Sequence, residues 1–244
     1  ALFGPLIIKK YRFEENFFRY DMEISQNNWY ASFLTEALRR DLWECRNYND
    51  SSQYGAIVAD NLGKLASYIP ALSELAGFDS PPDELIASLS SDRFDGAVAD
   101  MTEYLLDSLA DRFKAVRNSN VMKKDSVTAT LVAKMGKSEF LDLKNNHTNK
   151  RLREIVLDEF NTSMSIETRG KIIQKYEPVY MKPVSGNGRA HFYAPYKRIG
   201  YTSIDTFLFN IIVLWLISLI LYLALFFKIL KKAVSPGFRI RASP

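Results

Sequence analysis

Gly136-Lys137-Ser138 is the stretch that comes nearest to a known chemical motif, because it matches the end of the phosphate-binding loop GxxxxGK[ST]. The first glycine of that loop would fall on Leu131, whose side chain stands where the backbone must approach a phosphate. Without those backbone amides the loop cannot hold a nucleotide. We therefore expect no nucleotide site in this chain.

The remaining reactive side chains form no catalytic or metal-binding pattern. Two histidines, His147 and His191, occur in different contexts, and neither HExxH nor a paired Cys/His spacing accompanies them. No GxSxG nucleophile motif is present, and the single cysteine, Cys45, can form no intrachain disulfide. An anchored hydrolase would need such a constellation. The sequence predicts that the chain by itself is not an enzyme and carries no catalytic, cofactor or metal site.

The overall charge is positive, with a net charge of +4 and a pI near 9.0. Five of the basic residues lie in the last part of the chain, after residue 227, so the preceding part is close to neutral. This distribution argues against nucleic acid as a partner. A hydrophobic content of 47% with 25% charged residues indicates a folded protein with its own core.

The dominant feature is an uncharged run of 22 residues, Thr206 to Phe227. At about 1.5 Å per residue, such a helix is roughly 33 Å long, enough to cross a hydrocarbon layer of about 30 Å. A buried helix of a soluble protein would keep a polar stripe, which this run lacks. Its position near the C-terminus excludes a secretory signal peptide. We predict one transmembrane helix over residues 206–227.

Asn210 and Ser218 are polar residues inside this run, eight positions apart and near one helical face. They could hydrogen-bond another transmembrane helix, which would imply helix–helix packing in the membrane. Alternatively, each is tolerated singly, and both interpretations stay open.

Aromatic and basic residues flank the run. The expected membrane-interface anchors are Tyr196, Tyr201, Trp215, Tyr222, Lys228, Lys231 and Lys232, with Trp215 nearer mid-depth. Five basic residues follow the run, whereas only Lys197 and Arg198 lie within a comparable distance before it. The positive-inside rule then predicts a cytoplasmic C-terminus in the plasma (inner) membrane, with residues 1–205 extracytoplasmic.

The rest of the chain is predicted to be mainly α-helical from apolar residues at three- and four-residue spacing. The predicted helices cover residues 9–46, 53–68, 80–89, 92–116, 138–144 and 150–160. We expect a kink near Asn27-Asn28, a limit at Pro70 and an end at Asn118-Ser119-Asn120. Residues 127–135 could form a strand or a helix, which Gly136 ends.

This pattern suggests five consecutive parts. Residues 1–8 are nearly all apolar and are interpreted as the end of a preceding membrane segment, and residues 9–170 as a helical extracytoplasmic domain. Residues 171–205 form an aromatic connector rich in proline and glycine, which leads into the transmembrane helix at 206–227. Residues 228–244 form the cytoplasmic tail.

Three stretches carry a family resemblance: His191-Phe192-Tyr193-Ala194-Pro195-Tyr196-Lys197, Asp205 to Asn210, and Tyr222 to Lys228. Together they resemble the C-terminal end of ABC-2-type (ABCG-like) exporters of the Bacteroidetes kind. In that family a cassette ATPase precedes the membrane helices, and a large extracytoplasmic segment precedes the last helix. The likeness is tightest over residues 176–232, and this chain lacks every ATPase motif.

The resemblance implies the membrane and extracytoplasmic portion of an exporter that gates the exit path or docks an envelope protein. Its partners would be the lipid bilayer, other transmembrane helices and a cassette ATPase that supplies ATP hydrolysis. The alternative is a single-pass membrane-anchored adaptor whose helical domain binds another envelope protein. Such an adaptor would begin near Ala1 after signal processing.

Overall fold

The computed structural model describes residues 15–49, 51, 53–147, 150–158, 160–168, 170–183, 185–190, 194 and 196–227. The chain divides into two compact units. We call Tyr11–Lys182 the helical unit, and Pro183–Pro244 together with Ala1–Lys10 the span unit. The predicted membrane segment at 1–8, the predicted cytoplasmic tail at 228–244 and His191 lie outside the described residues.

The helical unit is built from helices followed by one small hairpin. Its helices are α1 (Glu15–Trp29), a π-helical segment (Tyr30–Leu34), α2 (Thr35–Tyr48), α3 (Gly55–Ala76), α4 (Asp83–Ser88), α5 (Gly96–Met135), α6 (Lys137–His147) and α7 (Lys150–Leu157). Strands β1 (Ser165–Thr168) and β2 (Lys171–Gln174) pair antiparallel, with Ser165 opposite Gln174, and a 3₁₀ turn (Pro178–Tyr180) follows. The prediction of a mainly α-helical chain is confirmed.

The core of this unit lies where α2, α3 and α5 meet. Its completely buried large side chains include Leu38, Leu62, Leu65, Ile69, Leu106, Leu109 and Phe113. Each contributes about 1.5–3 kcal/mol by leaving water. The same residues recur at three- and four-residue spacing along their helices, which is why periodicity alone located these helices.

The first predicted helix is confirmed from residue 15 to residue 46, with an irregularity in place of a simple kink. The π-helical segment begins at Tyr30, shortly after the predicted kink at 27–28. A π segment inserts an extra residue and redirects the side chains around it. Here Trp29 stacks on Phe33 with ring centroids 5.9 Å apart, while Tyr30 packs 5.0 Å from Phe113.

Pro70 does not end its helix, contrary to the prediction. Helix α3 continues to Ala76 and ends at Gly77, whose φ of 71° is the left-handed conformation that glycine favours. An internal proline costs roughly 3 kcal/mol. Burial of Ile69 and Leu72 on both sides of the proline outweighs that cost.

Asn118-Ser119-Asn120 is also continuous helix rather than a terminus, because α5 runs to Met135. The Asn120 amide donates to the Val116 carbonyl at 2.9 Å, so its side chain is satisfied inside the helix. The distal part of α5 packs against α1 and α6 through a cluster of Phe17, Phe140, Val127, Leu131, Val132, Met135 and Leu143. Residues 127–135 are therefore helical, and Gly136 ends the helix with a φ of 85° as predicted.

The span unit contains a second hairpin and the long apolar helix. Strands β3 (Tyr196–Ile199) and β4 (Thr202–Asp205) pair antiparallel, with Tyr196 opposite Asp205 and Ile199 opposite Thr202. Helix α8 (Thr206–Phe226) follows β4 directly. The sequence predicts an extended connector over residues 171–205, and it contains no signal for these short hairpins.

Candidate functional site: the junction of hairpin and span

Helix α8 begins with a strong cap. The Asp205 carboxylate accepts hydrogen bonds from the backbone N–H groups of Phe207 and Leu208 at 2.9 and 3.2 Å. Its negative charge also lies at the positive end of the helix dipole. The cap fixes where β4 stops and the helix starts.

Among the described residues, Thr206–Phe226 is the one helix long and apolar enough to cross a membrane. Its buried side chains are Thr206 and Asn210 at its start, an exposure unlike that of the core helix of a soluble fold. The predicted apolar helix is therefore present, and it supports association with a membrane.

The polar residues at the start of α8 are buried, while apolar residues further along the helix are exposed. Asn210 is 0% exposed and Thr206 is buried, whereas Trp215, Leu216 and Leu225 stand out from the unit. A water-soluble helix has the opposite arrangement. Lipid, or another apolar helix, is the environment that suits this surface.

Lys197 on β3 forms the central contact of the junction. Its ammonium Nζ donates to Asn210 Oδ1 at 2.9 Å and lies 4.7 Å from the centre of the Phe209 ring. The side chain is only 8% exposed, and burial lowers the pKa of Lys197. A buried ammonium needs oxygen and π-electron partners, and α8 provides both from adjacent residues.

Two further contacts close the junction. The Thr206 hydroxyl donates to the Ala194 carbonyl at 2.6 Å. Gly188 has a φ of 78°, and a Cβ placed there would lie 2.5 Å from Phe209 Cζ, so both the backbone and the ring require glycine. Strand β3 and the segment before it therefore pack against the first turn of α8 and hydrogen-bond to it.

The structure puts the predicted membrane residues in different settings. Asn210 is engaged by Lys197, whereas Ser218 is exposed, and their packing against other transmembrane helices stays a prediction. Tyr201 is fully exposed at the turn of the β3–β4 hairpin, while Tyr196 is half-buried. Trp215 and Tyr222 are exposed on α8, with Tyr222 stacked on Phe226 at 6.2 Å. Lys228, Lys231 and Lys232 lie outside the described residues.

Sequence reasoning missed Lys197, Gly188 and Thr206 as parts of one site. The available signal was the spacing of thirteen residues between Lys197 and Asn210, but only the antiparallel hairpin brings the two together. A lysine and a glycine in a loop-like stretch have no local pattern that would mark them.

The helical unit contains an ion cluster around Lys64, which is almost completely buried. Its Nζ lies 3.3 Å from Asp41 Oδ2 and 3.5 Å from Asp60 Oδ2, and it also bonds the Glu167 carboxylate. Burial alone would lower the pKa of Lys64, but the hydrogen bond to Glu167 and the charge of Asp41 outweigh it, so the pKa is raised. The cluster fastens β1 to α2 and α3.

Glu177 is a second unusual carboxyl group, located just before the 3₁₀ turn. Its backbone has a φ of 40°, a left-handed conformation that costs a non-glycine residue free energy. Burial raises the pKa of Glu177, and hydrogen bonds from Ser25 and Tyr176 offset part of that rise.

Within the described residues, no group of three or more His, Cys, Asp or Glu side chains is arranged to hold a metal ion. The Cys45 thiol is buried against the Val58 carbonyl, and burial raises its pKa to about 12. That thiol is therefore protonated and inert at neutral pH.

Comparison with protein-family models, with curated proteins and with solved structures gives no match for this chain.

Proposed function

We propose that this chain is the membrane and extracytoplasmic portion of an ABC-type exporter, with ATP hydrolysis supplied by a cassette ATPase elsewhere in the polypeptide or complex. The observation that carries the proposal is the junction, in which a folded hairpin is fixed to the first turn of an apolar helix. The resemblance of the stretches at 191–197, 205–210 and 222–228 to the end of ABC-2-type exporters points to the same role.

The junction suits a mechanical task. Because Lys197, Asn210 and Thr206 hold hairpin and helix together by buried hydrogen bonds, tilting α8 would carry the hairpin with it. Leaving one buried polar group unpaired costs about 1–3 kcal/mol, so the junction resists separation. In an exporter such coupling would let ATP-driven movement of the helix bundle open or close an exit path on the outer face.

The proposed topology follows from charge. Five basic residues after α8 favour a cytoplasmic C-terminus, with the helical unit extracytoplasmic and the helix in the plasma (inner) membrane. Other transmembrane helices would then cover part of the exposed face of α8, and lipid the remainder.

A single-pass adaptor is the second candidate, and one surface of the helical unit favours it. Exposed Trp43 packs edge-on against Tyr48 at 6.3 Å, and Tyr48 lies 4.7 Å from Tyr54. Exposed tryptophan and tyrosine are enriched at protein interfaces. This aromatic surface would bind the envelope protein that the adaptor holds.

The composition of the native complex separates the two candidates. The chain would be isolated from native membranes in mild detergent, its N-terminus and intact mass determined, and ATP hydrolysis measured. An exporter predicts a cassette ATPase in the same polypeptide or in fixed stoichiometry. A chain with a single span and no ATPase companion would contradict it, and a processed N-terminus near Ala1 would favour the adaptor.

The Asn210→Val variant extends this test to the junction. In an exporter it should lower the ATPase activity of the complex several-fold, because the hairpin no longer follows the helix. Thr130→Val, which removes an exposed hydroxyl from α5 in the helical unit, is the control and should leave the activity unchanged.

A further inference from the structure

The direction of the β3–β4 hairpin relative to α8 can be worked out from contacts inside the span unit. Ala194, just before β3, contacts Thr206 at the start of the helix. Lys197, three residues further toward the hairpin turn, contacts Asn210, four residues further along the helix. Strand β3 and helix α8 therefore run in the same direction. Strand β4 runs the opposite way between them in sequence, and the chain reverses again at Asp205.

A second contact agrees with this direction. The Gly188 N–H donates to the Arg198 carbonyl at 2.8 Å, so Gly188 marks the level of Arg198 on β3. The Phe209 ring lies directly against Gly188. The middle of β3 is thus level with residues 209–210, and the turn at Gly200-Tyr201 lies at or beyond that level in the direction of the span.

The side chains at this turn suit a membrane interface. Tyr201 is fully exposed and Ile199 is 51% exposed, although both are large and largely apolar. Arg198, Thr202 and Ser203 are neighbours in the hairpin and carry a cation and hydroxyl groups, with Arg198 paired with Ser203 and Ile199 with Thr202. Tyrosine combines an apolar ring with a polar tip, which is why it is enriched at the headgroup level of bilayers.

We propose that the hairpin turn, residues 199–202, is immersed in the headgroup layer of the leaflet that α8 enters. Tyr201 and Ile199 would contact the glycerol and upper acyl region, and Arg198 the lipid phosphates. The occupant of this surface is the phospholipid bilayer itself, because the turn is continuous with the helix that enters it and points the same way. This holds whether the chain serves an exporter or an adaptor.

The depth of residue 201 can be measured directly. A nitroxide is attached to Tyr201→Cys in the full chain, reconstituted into vesicles of phosphatidylcholine and phosphatidylglycerol. Its collisions with oxygen and with a water-soluble nickel chelate are then compared. The native Cys45 is buried with a pKa of about 12, so it does not compete for the label. Because Tyr201 is fully exposed, the substitution leaves the fold intact.

Two reference positions define the scale. Leu216→Cys reports the middle of the span, and Tyr104→Cys reports an exposed position of the helical unit. The proposal predicts a ratio of oxygen to nickel collisions at 201 that lies between the two, and a ratio at Ile199→Cys that also lies between them.

A ratio at 201 equal to that at 104, while 216 reads as lipid, would overturn the interfacial hairpin and leave the span standing. Aqueous values at both 201 and 216 would overturn the membrane helix and the hairpin proposal together. Neither result depends on whether an ATPase accompanies the chain, so the exporter proposal is tested separately.

Discussion

The helical unit and the span unit bury opposite kinds of side chain. In the helical unit the interior holds Leu38, Leu65 and Phe113, and most charges lie at the surface. In the span unit, Lys197 and Asn210 are inside, while the apolar side chains of α8 point outward.

This inversion agrees with a helical unit that faces water and a helix α8 that faces lipid. Water makes apolar burial favourable, at about 25 cal/mol per Å², so the helical unit hides its leucines. A lipid environment would remove that drive and make each unpaired polar group costly. The pairing of Asn210 with Lys197 and of Thr206 with the Ala194 carbonyl agrees with such an environment. The Lys64 cluster is an exception inside the helical unit, where several carboxylates surround the buried ammonium and offset the cost of its burial.

The largest expected effect is the loss of stability on removing Lys64 from its ion cluster. Lys64→Met should lower the free energy of unfolding by about 3–5 kcal/mol, because Asp41 is left buried without its cation. Lys114→Met, which removes an exposed partner of Asp111, should cost no more than about 0.5 kcal/mol. Urea titration of the full chain in detergent, followed by the fluorescence of buried Trp29, measures both. Equal losses would mean that the Lys64 cluster is as solvated as a surface pair.

A charge placed on an exposed residue of each unit tests the inversion itself. Leu216 is 51% exposed and Met122 is 72% exposed, so both substitutions would be tolerated if both units faced water. In lipid, Leu216→Lys should cost about 2.5–3.5 kcal/mol and reduce membrane insertion, while Met122→Lys stays neutral. The measurement is the membrane-inserted fraction of each variant. Equal fractions would contradict the conclusion that the exposed residues of the two units face different solvents.

The third prediction concerns the buried hydrogen bond between Lys197 and Asn210 in the span unit. Asn210→Val leaves the Lys197 ammonium without its amide oxygen and should cost about 1–3 kcal/mol. The Gly188 amide donates to the Arg198 carbonyl and the Gly200 amide to the Gly186 carbonyl, so both join residues 186–188 to β3 and its turn. Hydrogen exchange at these two amides should speed up roughly ten- to a hundredfold. Ser218→Val should leave both amides protected, and faster exchange in both variants would remove the special role of Asn210.

The smallest effect concerns Glu177 and pH. Because its pKa is raised above the ordinary 4.5, the folded state holds more protons than the unfolded state between those two values. The stabilisation that comes from keeping Glu177 protonated is therefore complete below pH 4.5 and is lost as the pH rises through the folded pKa. Glu177→Gln stays neutral and should lack that loss, so the variant gains relative stability as pH increases. Urea titrations across this range measure the difference, and a constant difference would show that Glu177 is solvated like a free glutamate.

Periodicity predicted the helices whose burial pattern is local. The apolar spacing from Phe94 to Phe113 gave the proximal part of α5, and the uncharged run gave α8. Pro70 and residues 118–120 were predicted to end their helices, and this prediction was wrong. Packing against other helices stabilises both helices by more than one proline or a few asparagines cost.

The junction lay beyond what the sequence could show. Asn210 was singled out as a polar residue in an apolar run, but its partner Lys197 was counted only as a flanking charge. Four-residue strands carry too little alternation to be recognised, and the reversal at Asp205 that brings β3 onto α8 depends on tertiary contacts. Gly188 is required by the Phe209 ring, which no local pattern records.

Trp215 provides the most direct test that α8 lies in lipid. The full chain would be reconstituted into vesicles whose acyl chains carry bromine near mid-chain, and the quenching of its fluorescence compared with that of Trp215→Phe. We expect strong quenching that disappears in the variant, because Trp29 is buried in the helical unit and Trp43 lies on its surface. Equal quenching in both proteins, together with quenching of Trp215 by aqueous acrylamide, would place α8 in water and contradict the account.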